Sequence, residues 1–294
     1  MSKNNKSLYR RLVPKFIRRP IEKNKIKSTV LNYYESLKAA QISEEESKAL
    51  AYLRKNELSI FPYPFQEKYN RADIEVHVDP DNQLKYIITD NKKLYFKRKS
   101  SKRGVRRNYN FLKIEQDPES PHRYLTNSFN VEEGDILVDV GAAEGNLPLE
   151  VIDKVKKAYL FETDERWIEA LEATFAPWKD KVVIINKFVS NVNDEKNVTL
   201  DEYFKDKEPY NFLKVDAEGA EDKILEGATQ TLTARQQIKL ALCCYHKPHD
   251  EDKFKAQLEQ WNYDVSFANG YMIFPEPKTF KPPYLRRGVL RAVK

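Results

Sequence analysis

The chain has 294 residues but only two cysteines, and these are neighbours, Cys243 and Cys244, in the apolar stretch IKLALCCY. Adjacent cysteines rarely bridge each other and no third is present, so a disulfide framework is excluded and a reducing, cytoplasmic location is expected. No run of about 18 apolar residues occurs, which leaves no candidate spanning helix. The N-terminal stretch MSKNNKSLYRRLVPKFIRRP has neither the continuous apolar region nor the small-residue cleavage site of a signal peptide. Internal repeats are missing. So is the three-glycine fingerprint G-x-G-x-x-G, which counts against a nicotinamide-dependent oxidoreductase.

What is present suffices for a core: 40% of residues are hydrophobic and 12% aromatic, and the 33% that are charged are mixed in sign, which argues against global disorder. The net charge of +6 conceals an asymmetry. Residues 1–27 carry ten Lys/Arg and one Glu (+9) and residues 281–294 carry five Lys/Arg and no acid (+5), so residues 28–280 sum to 6 − 14 = −8. The two ends, 1–27 and 281–294, are expected to be basic tails, solvated or in peripheral contact with an anionic membrane surface or an acidic partner. The acidic body argues against a nucleic-acid groove.

Between the tails the pattern divides into an N-terminal extension, 28–125, and a second domain, 126–280. Helical spacing over residues 28–58 suggests two helices, with Ser43 as an N-cap. ADIEVHVDPDNQLKYIITDNKKLYFKRK alternates apolar and polar residues around two turn signals and reads as an antiparallel meander. KIEQDPESPHRYL reads as a loop leading into a helix. From Asp135 onward strands and helices alternate, as in a parallel sheet covered on both faces. The strands are ILVDV (136–140), AYLFE (158–162), VVIINKFV (182–189), NFLKVD (211–216) and IKLALCCY (238–245). DVSFANGYMIF, with Asn269-Gly270 between apolar runs, reads as a closing hairpin.

VDVGAAEGN sets Gly141 and Gly145 between the first strand and its helix. Such glycines let the backbone turn sharply and approach a ligand, and the helix that follows offers free N–H groups. Glu162 closes the second strand 162 − 139 = 23 positions after Asp139, where a carboxylate can accept both hydroxyls of a ribose. Two glycines preceded by Asp139 suit a ligand without a pyrophosphate at this turn, and S-adenosylmethionine is such a ligand.

FLKVDAEGAE crowds Asp216, Glu218 and Glu221 behind an apolar strand. In extended geometry Asp216 and Glu218 point the same way, each raising the cost of ionising the other. Three readings are open: they cap the next helix, they serve as base and positioning groups, or they hold a divalent metal with His246, a donor set suited to Mn, Fe or Zn. Glu221 and Asp222 fit the dipole of the following helix. His246, after the fifth strand, reaches the same rim and is a natural proton acceptor, or else anchors its loop to Asp250. His122 approaches from the preceding segment, and His249 faces solvent.

VDVGAAEGN, YLFETD, TLDEYF, FLKVDAEGAEDKILEGA and CYHKPHDED together resemble the FkbM-type methyltransferases, over roughly residues 110–275, with KVDAEGAE the most specific element. The resemblance implies an α/β, Rossmann-like, seven-strand, mostly parallel sheet ending in an antiparallel hairpin. It implies an S-adenosylmethionine-dependent O-methyltransferase acting on a hydroxyl of a sugar, polysaccharide or related biosynthetic intermediate. It places Asp139, Gly141 and Gly145 in the first cofactor motif, Glu144 and Asn146 near the methionine moiety, Glu162 with Thr163 at the ribose, and Ser190 and Asn191 at the adenine edge. Asp216, Glu218 and His246 would act together on the acceptor. The rivals are a nicotinamide-dependent sugar oxidoreductase and a non-catalytic scaffold of glycan biosynthesis; a scaffold has no need of Glu162, Asp216, Glu218 and His246 together. No motif in the loops or the N-terminal extension specifies the acceptor.

Overall fold

A computed structural model describes the backbone of residues 15–294 and the side chains from Pro20 onward. Residues 1–14 of the expected basic tail lie outside the described residues, and the rest of it belongs to helix α1 (Lys15–Glu35). Helix α2 (Glu44–Lys55) starts where the sequence predicts. Ser43 accepts from the Glu46 amide and Glu46 returns to the Ser43 amide, a capping box that satisfies two otherwise unpaired donors. The meander forms as β1 (His77–Val78), β2 (Lys85–Thr89) and β3 (Lys92–Phe96), an antiparallel sheet whose tight turn places Asp90 and Asn91 at positive φ.

A helix that the periodicity reading overlooked follows, α3 (Lys102–Glu115). Ser101 caps it, accepting from the Gly104 amide, and Val105, Tyr109 and Leu112 at spacings of four and three form its inward stripe. The segment KIEQDPESPHRYL therefore ends a helix rather than leading into one, and continues as irregular chain to β4.

The main sheet has seven strands. Those alternating with helices are β4 (Ile136–Val140), β5 (Lys157–Phe161), β6 (Val182–Ile185), β9 (Phe212–Val215) and β10 (Lys239–Cys243); β7 (Phe188–Val189) and β8 (Asn197–Val198) make a separate two-stranded ladder. Helices α4 (Asn146–Val151), α5 (Glu165–Phe175), α6 (Leu200–Phe204), α7 (Glu221–Glu226), α8 (Thr229–Ala234) and α9 (Asp250–Gln260) connect them. The last strands are β11 (Asp264–Phe267), β12 (Met272–Ile273), β13 (Leu285–Arg286) and β14 (Val289–Val293), and the sheet order is β11-β14-β10-β9-β4-β5-β6. Residues of β4, β9 and β10 are almost entirely buried, because helices cover both faces.

The expected closing hairpin is corrected. Gly270 does turn the chain at φ +86°, but Met272-Ile273 pairs with Leu285-Arg286, while β11 pairs antiparallel with β14. The expected basic C-terminal tail, 281–294, is likewise corrected: it supplies β14, inserted between β10 and β11. The arginines that gave it the look of a solvated tail are structural. Arg286, 1% exposed, donates to the carbonyls of Tyr245, His246 and Thr279, and Arg291 donates to those of Tyr124 and Arg123. Val289, Leu290 and Ala292 meanwhile fill the core.

The N-terminal extension packs on the same body. Val30, Tyr34, Leu50 and Leu53 share a cluster with Tyr271, Ile273 and Leu285, and the Tyr63 hydroxyl accepts from the Tyr271 amide at 2.8 Å. Among the described residues no helix is long and apolar enough to cross a membrane. Cys243 and Cys244 are buried free thiols.

Candidate active site

The carboxyl ends of β4, β5 and β9 converge on one rim, and the chain leaves each of them in a short loop. After β4, Gly141 and Gly145 adopt φ +76° and +79°, and Ala143 between them is also left-handed at +46°. A Cβ on Gly141 would stand 2.0 Å from the Asp216 carbonyl oxygen, and one on Gly145 would stand 2.7 Å from Leu171 and Phe175. The glycines are thus demanded first by the protein's own packing, which locks the first loop against the end of β9 at Gly141 and against α5 at Gly145.

Lys214, an inward residue of β9 that in the sequence reads as part of an apolar run, lies 2.8 Å from Asp139 Oδ1 and donates to the Gly141 carbonyl at 2.8 Å. Burial pushes the Asp139 carboxyl up, opposed by Lys214; burial pulls the Lys214 ammonium down, outweighed by Asp139 and Asp216. The pair is a strut between adjacent strands. Asp139 therefore shapes the first loop from beneath.

Glu162 ties the same loop to β5. Its Oε2 accepts from the Ala143 amide at 2.9 Å and its Oε1 from the Thr163 and Asp164 amides at 2.7 Å each. A carboxylate offers about four lone-pair sites, so three are taken and room remains for one ligand hydroxyl rather than two. Glu162 and Thr163 line a recess of about 380 Å³ with Phe161, Trp167, Phe188 and Val189. Ser190 and Asn191 are not among its walls: Ser190 packs on Gly227 and the Asn191 amide donates to Glu226. The preceding residues, Lys187 to Val189, face the recess in their place.

A second cavity of about 160 Å³ adjoins it, and Gly141, Ala143 and Asp216 are walls of both. This one is acidic, with Glu115 from α3 and Glu144 from the first loop, and it also carries Asn146. Burial raises Glu144 to about 7 and drives Glu115 well above the ordinary carboxyl range. Glu115 went unnoticed in the sequence because α3 did; the Ser101 cap and the Val105-Tyr109-Leu112 spacing were the signal that could have found it.

Asp216, at the junction, behaves opposite to expectation. Burial works to raise its carboxyl, but Lys214, the two neighbouring histidines and the Tyr124 hydroxyl at 2.9 Å outweigh it and bring it down to about 2. The Tyr245 hydroxyl donates to its other oxygen at 3.2 Å. Glu218 is not its like-charged partner: the residue sits at φ +52° and turns its side chain, 90% exposed, to solvent. Strand geometry ends at Val215, so the alternation that pointed the two carboxylates the same way does not persist.

His246 does reach the rim. Its ring is 3% exposed, with Nε2 3.6 Å from Asp216 Oδ1 and 3.9 Å from Glu218 Oε2, and Nδ1 2.9 Å from Glu221 Oε1. Burial pulls the imidazole down, but the Glu221 carboxylate beside Nδ1 and the charge of Asp216 lift it above its usual value. Glu221, expected only to complement the helix dipole, has no solvent exposure; its Oε1 also accepts from the Ala217 and Gly219 amides. Asp250, proposed as the anchor of His246, accepts instead from the Lys247 amide at 3.0 Å. His249 is exposed. His122, 2% exposed and 3.6 Å from Asp216, is held neutral by burial, which takes it to about 4. Among the described residues, two groupings have ligand atoms within 4.8 Å of one another, close enough to share a metal ion: Asp216 with Glu221 and His246, and His122 with Asp216 and Cys243.

The donor set fits S-adenosylmethionine. An aromatic recess with one free carboxylate site suits an adenosine, and the acidic cavity suits an ammonium and a sulfonium. No curated protein sequence matches the chain. Among solved structures, methyltransferase FkbM from Methylobacillus flagellatus KT is similar at 16% identity and TM-score 0.45, over 64% of this chain and 59% of that one, so this chain spans about three fifths of that protein. An rRNA methylase from Streptococcus thermophilus (18% identity, TM-score 0.37, 56% of this chain and 89% of that one) is also similar. So is TrmK from M. capricolum bound to S-adenosyl-homocysteine (12%, TM-score 0.38, 58% and 69%). Residues 64–272 match the family model described as the methyltransferase FkbM domain, and the chain belongs to that family.

Proposed function

We propose that the protein is an S-adenosylmethionine-dependent O-methyltransferase acting on a hydroxyl of a sugar or a related biosynthetic intermediate. The observation that carries this reading is the position of Asp216: it is a wall of both cavities, one built for a nucleoside and one for cationic groups, and His246 faces it. When bound, the cofactor supplies an electrophilic methyl group. Glu162 and Thr163 would hold its ribose, and Glu144 and Asn146 its amino-acid end.

The chain's own groups divide the remaining work. Asp216, kept ionised, orients the acceptor at the junction of the two cavities and stabilises the imidazolium that forms beside it. His246 takes the proton at Nε2, and Glu221 at Nδ1 fixes the ring and stabilises the imidazolium. A base contributes roughly 10²–10⁴-fold, whereas alignment of the two reactants is worth about 7–11 kcal/mol, so alignment, to which Asp216 contributes, is the larger share. Tyr124 and Tyr245 are held protonated by burial and serve as donors to Asp216.

A divalent cation is the second reading, and one observation favours it. Neither buried ring nitrogen of His246 makes a well-aligned hydrogen bond, while two carboxylates lie within 4 Å of Nε2 and a third stands 2.9 Å from Nδ1, an arrangement that also suits a metal-bound imidazole. Turnover abolished by a chelator and restored by Mn²⁺ would support the cation; turnover indifferent to chelation supports the base.

Calorimetry with S-adenosylhomocysteine tests the main reading. The wild type should bind it, NAD should not bind, and Glu162→Ala should weaken binding at least tenfold. Failure of the wild type to bind would refute the assignment.

A further inference from the structure

Residues 92–114 contain ten Lys/Arg and no acid, in a body whose net charge is otherwise negative. Most of these cations have partners. Lys92, Lys93, Lys97 and Arg98 pair with Asp153, Asp79, Asp164 and Glu169, Arg106 donates to the Ile74 carbonyl, and Lys113 lies over the Tyr69 ring. Lys99, Lys102, Arg103 and Arg107 are exposed, and none of them makes an ion pair among the described residues. Arg103 and Arg107, four apart on α3, lie on one face of it.

That face leads to the active site. Arg107 and Asn108 are walls of a recess of about 380 Å³ that shares Leu112, Glu115 and Glu144 with the acidic cavity bordered by Asp216. Arg107 precedes Glu115 by 115 − 107 = 8 residues, about 12 Å of helix. The recess is therefore polarised, with guanidinium groups at its mouth and the carboxyl groups of Glu115 and Glu144 at its inner end, where it meets the cavity assigned to the cofactor. An uncharged acceptor gains nothing from this gradient. A molecule with an anion at one end and a hydroxyl at the other is oriented by it, and guanidinium groups suit phosphate and carboxylate oxygens through paired N–H donors.

Building on the methyltransferase reading, we propose that the acceptor is anionic and that Arg107, assisted by Arg103, binds its phosphate or carboxylate at the outer end of this recess. Glucose 1-phosphate, glucuronate and methyl glucoside serve as probes, titrated by calorimetry into protein saturated with S-adenosylhomocysteine. The wild type should bind one or both anionic probes at least tenfold more tightly than methyl glucoside, with affinity falling as salt is raised. The better-bound anion identifies which oxyanion the site prefers. Arg103→Ala/Arg107→Ala should remove that preference, with the melting temperature and the affinity for S-adenosylhomocysteine unchanged. Equal binding of all three probes by the wild type overturns the proposal. So does a double variant that loses affinity for S-adenosylhomocysteine, because the arginines would then serve the cofactor's own carboxylate. Absence of S-adenosylhomocysteine binding to the wild type would instead strike the methyltransferase reading; the probes titrated without it still report on the arginines.

Discussion

Nδ1 of His246 stands 2.9 Å from Oε1 of Glu221, a carboxylate with no solvent exposure. The same oxygen accepts from the Ala217 and Gly219 amides and so holds the loop on which Asp216 and Glu218 sit. One buried acid thereby fixes both the ring that would take a proton and the strained turn, with Glu218 at φ +52°, that brings Asp216 to it.

This coupling has a pH signature. His246 is lifted above its usual value by Glu221 and Asp216 against the pull of burial, and it works as a base only when neutral. Turnover should fall as the pH drops through a value above about 6.5. Glu221→Gln should move that limb down by about one unit, while His246→Ala should cost about 10²–10⁴-fold in turnover. A pH-rate profile that falls in amplitude without moving would reduce Glu221 to a structural role. The raised value also means that His246 contributes stability below its ordinary pKa and that this is lost as pH rises through the folded value.

Glu144, raised by burial to about 7, should link cofactor binding to protons. A cation placed beside it favours the ionised form, so binding of S-adenosylmethionine should strengthen as pH rises through 7 and should release a proton. Calorimetry in phosphate and in Tris should therefore give different apparent enthalpies, and Glu144→Gln should make them equal. Without ligand the sign reverses in the fold: stability should decline as pH rises from the ordinary carboxyl value towards 7.

Gly141→Ala carries two costs. Positive φ disfavours any side chain by roughly 1–3 kcal/mol, and the new Cβ must push the Asp216 carbonyl away from 2.0 Å. Gly134 supplies the control, since it shares a positive φ of +86° but an added Cβ there would meet nothing within 4 Å. Thermal melting should show a larger loss for Gly141→Ala than for Gly134→Ala, and only the former should lose S-adenosylhomocysteine binding.

Removing residues 286–294 would delete β14 from the middle of the β11-β14-β10 ladder and leave the edges of both neighbours unpaired. A soluble, cooperatively melting truncated protein would contradict the fold. The milder Arg291→Met should cost several kcal/mol, because the carbonyls of Tyr124 and Arg123 lose their donor at a buried site.

Local patterns were enough to read the Ser43 cap, the meander and the alternating strands of the sheet, except that the strand expected at 182–189 stops at Ile185 and Phe188-Val189 joins a separate ladder. Each depends on neighbours along the chain: period-two alternation, a capping box, two turn residues tolerant of positive φ. The positions of the loop after β4 and of Glu162 were legible for the same reason, because both lie at ends of strands whose apolar runs are unmistakable. Glu221 and Lys214 were visible in FLKVDAEGAE, yet their roles were not, since a carboxylate's work depends on which buried imidazole or amide it meets.

The tertiary structure alone decided the rest. It turned Glu218 outward and Asp216 inward, because the strand stops at Val215 and left-handed backbone at Glu218 breaks the alternation. It made an inner strand of a segment rich in arginine, because those guanidiniums reach backbone carbonyls that would otherwise be buried unpaired. It also brought Glu115, 101 residues before Asp216, to the same cavity. Chain order carries the propensities, but charge in a low-dielectric site takes its meaning from what stands opposite, and only folding sets that.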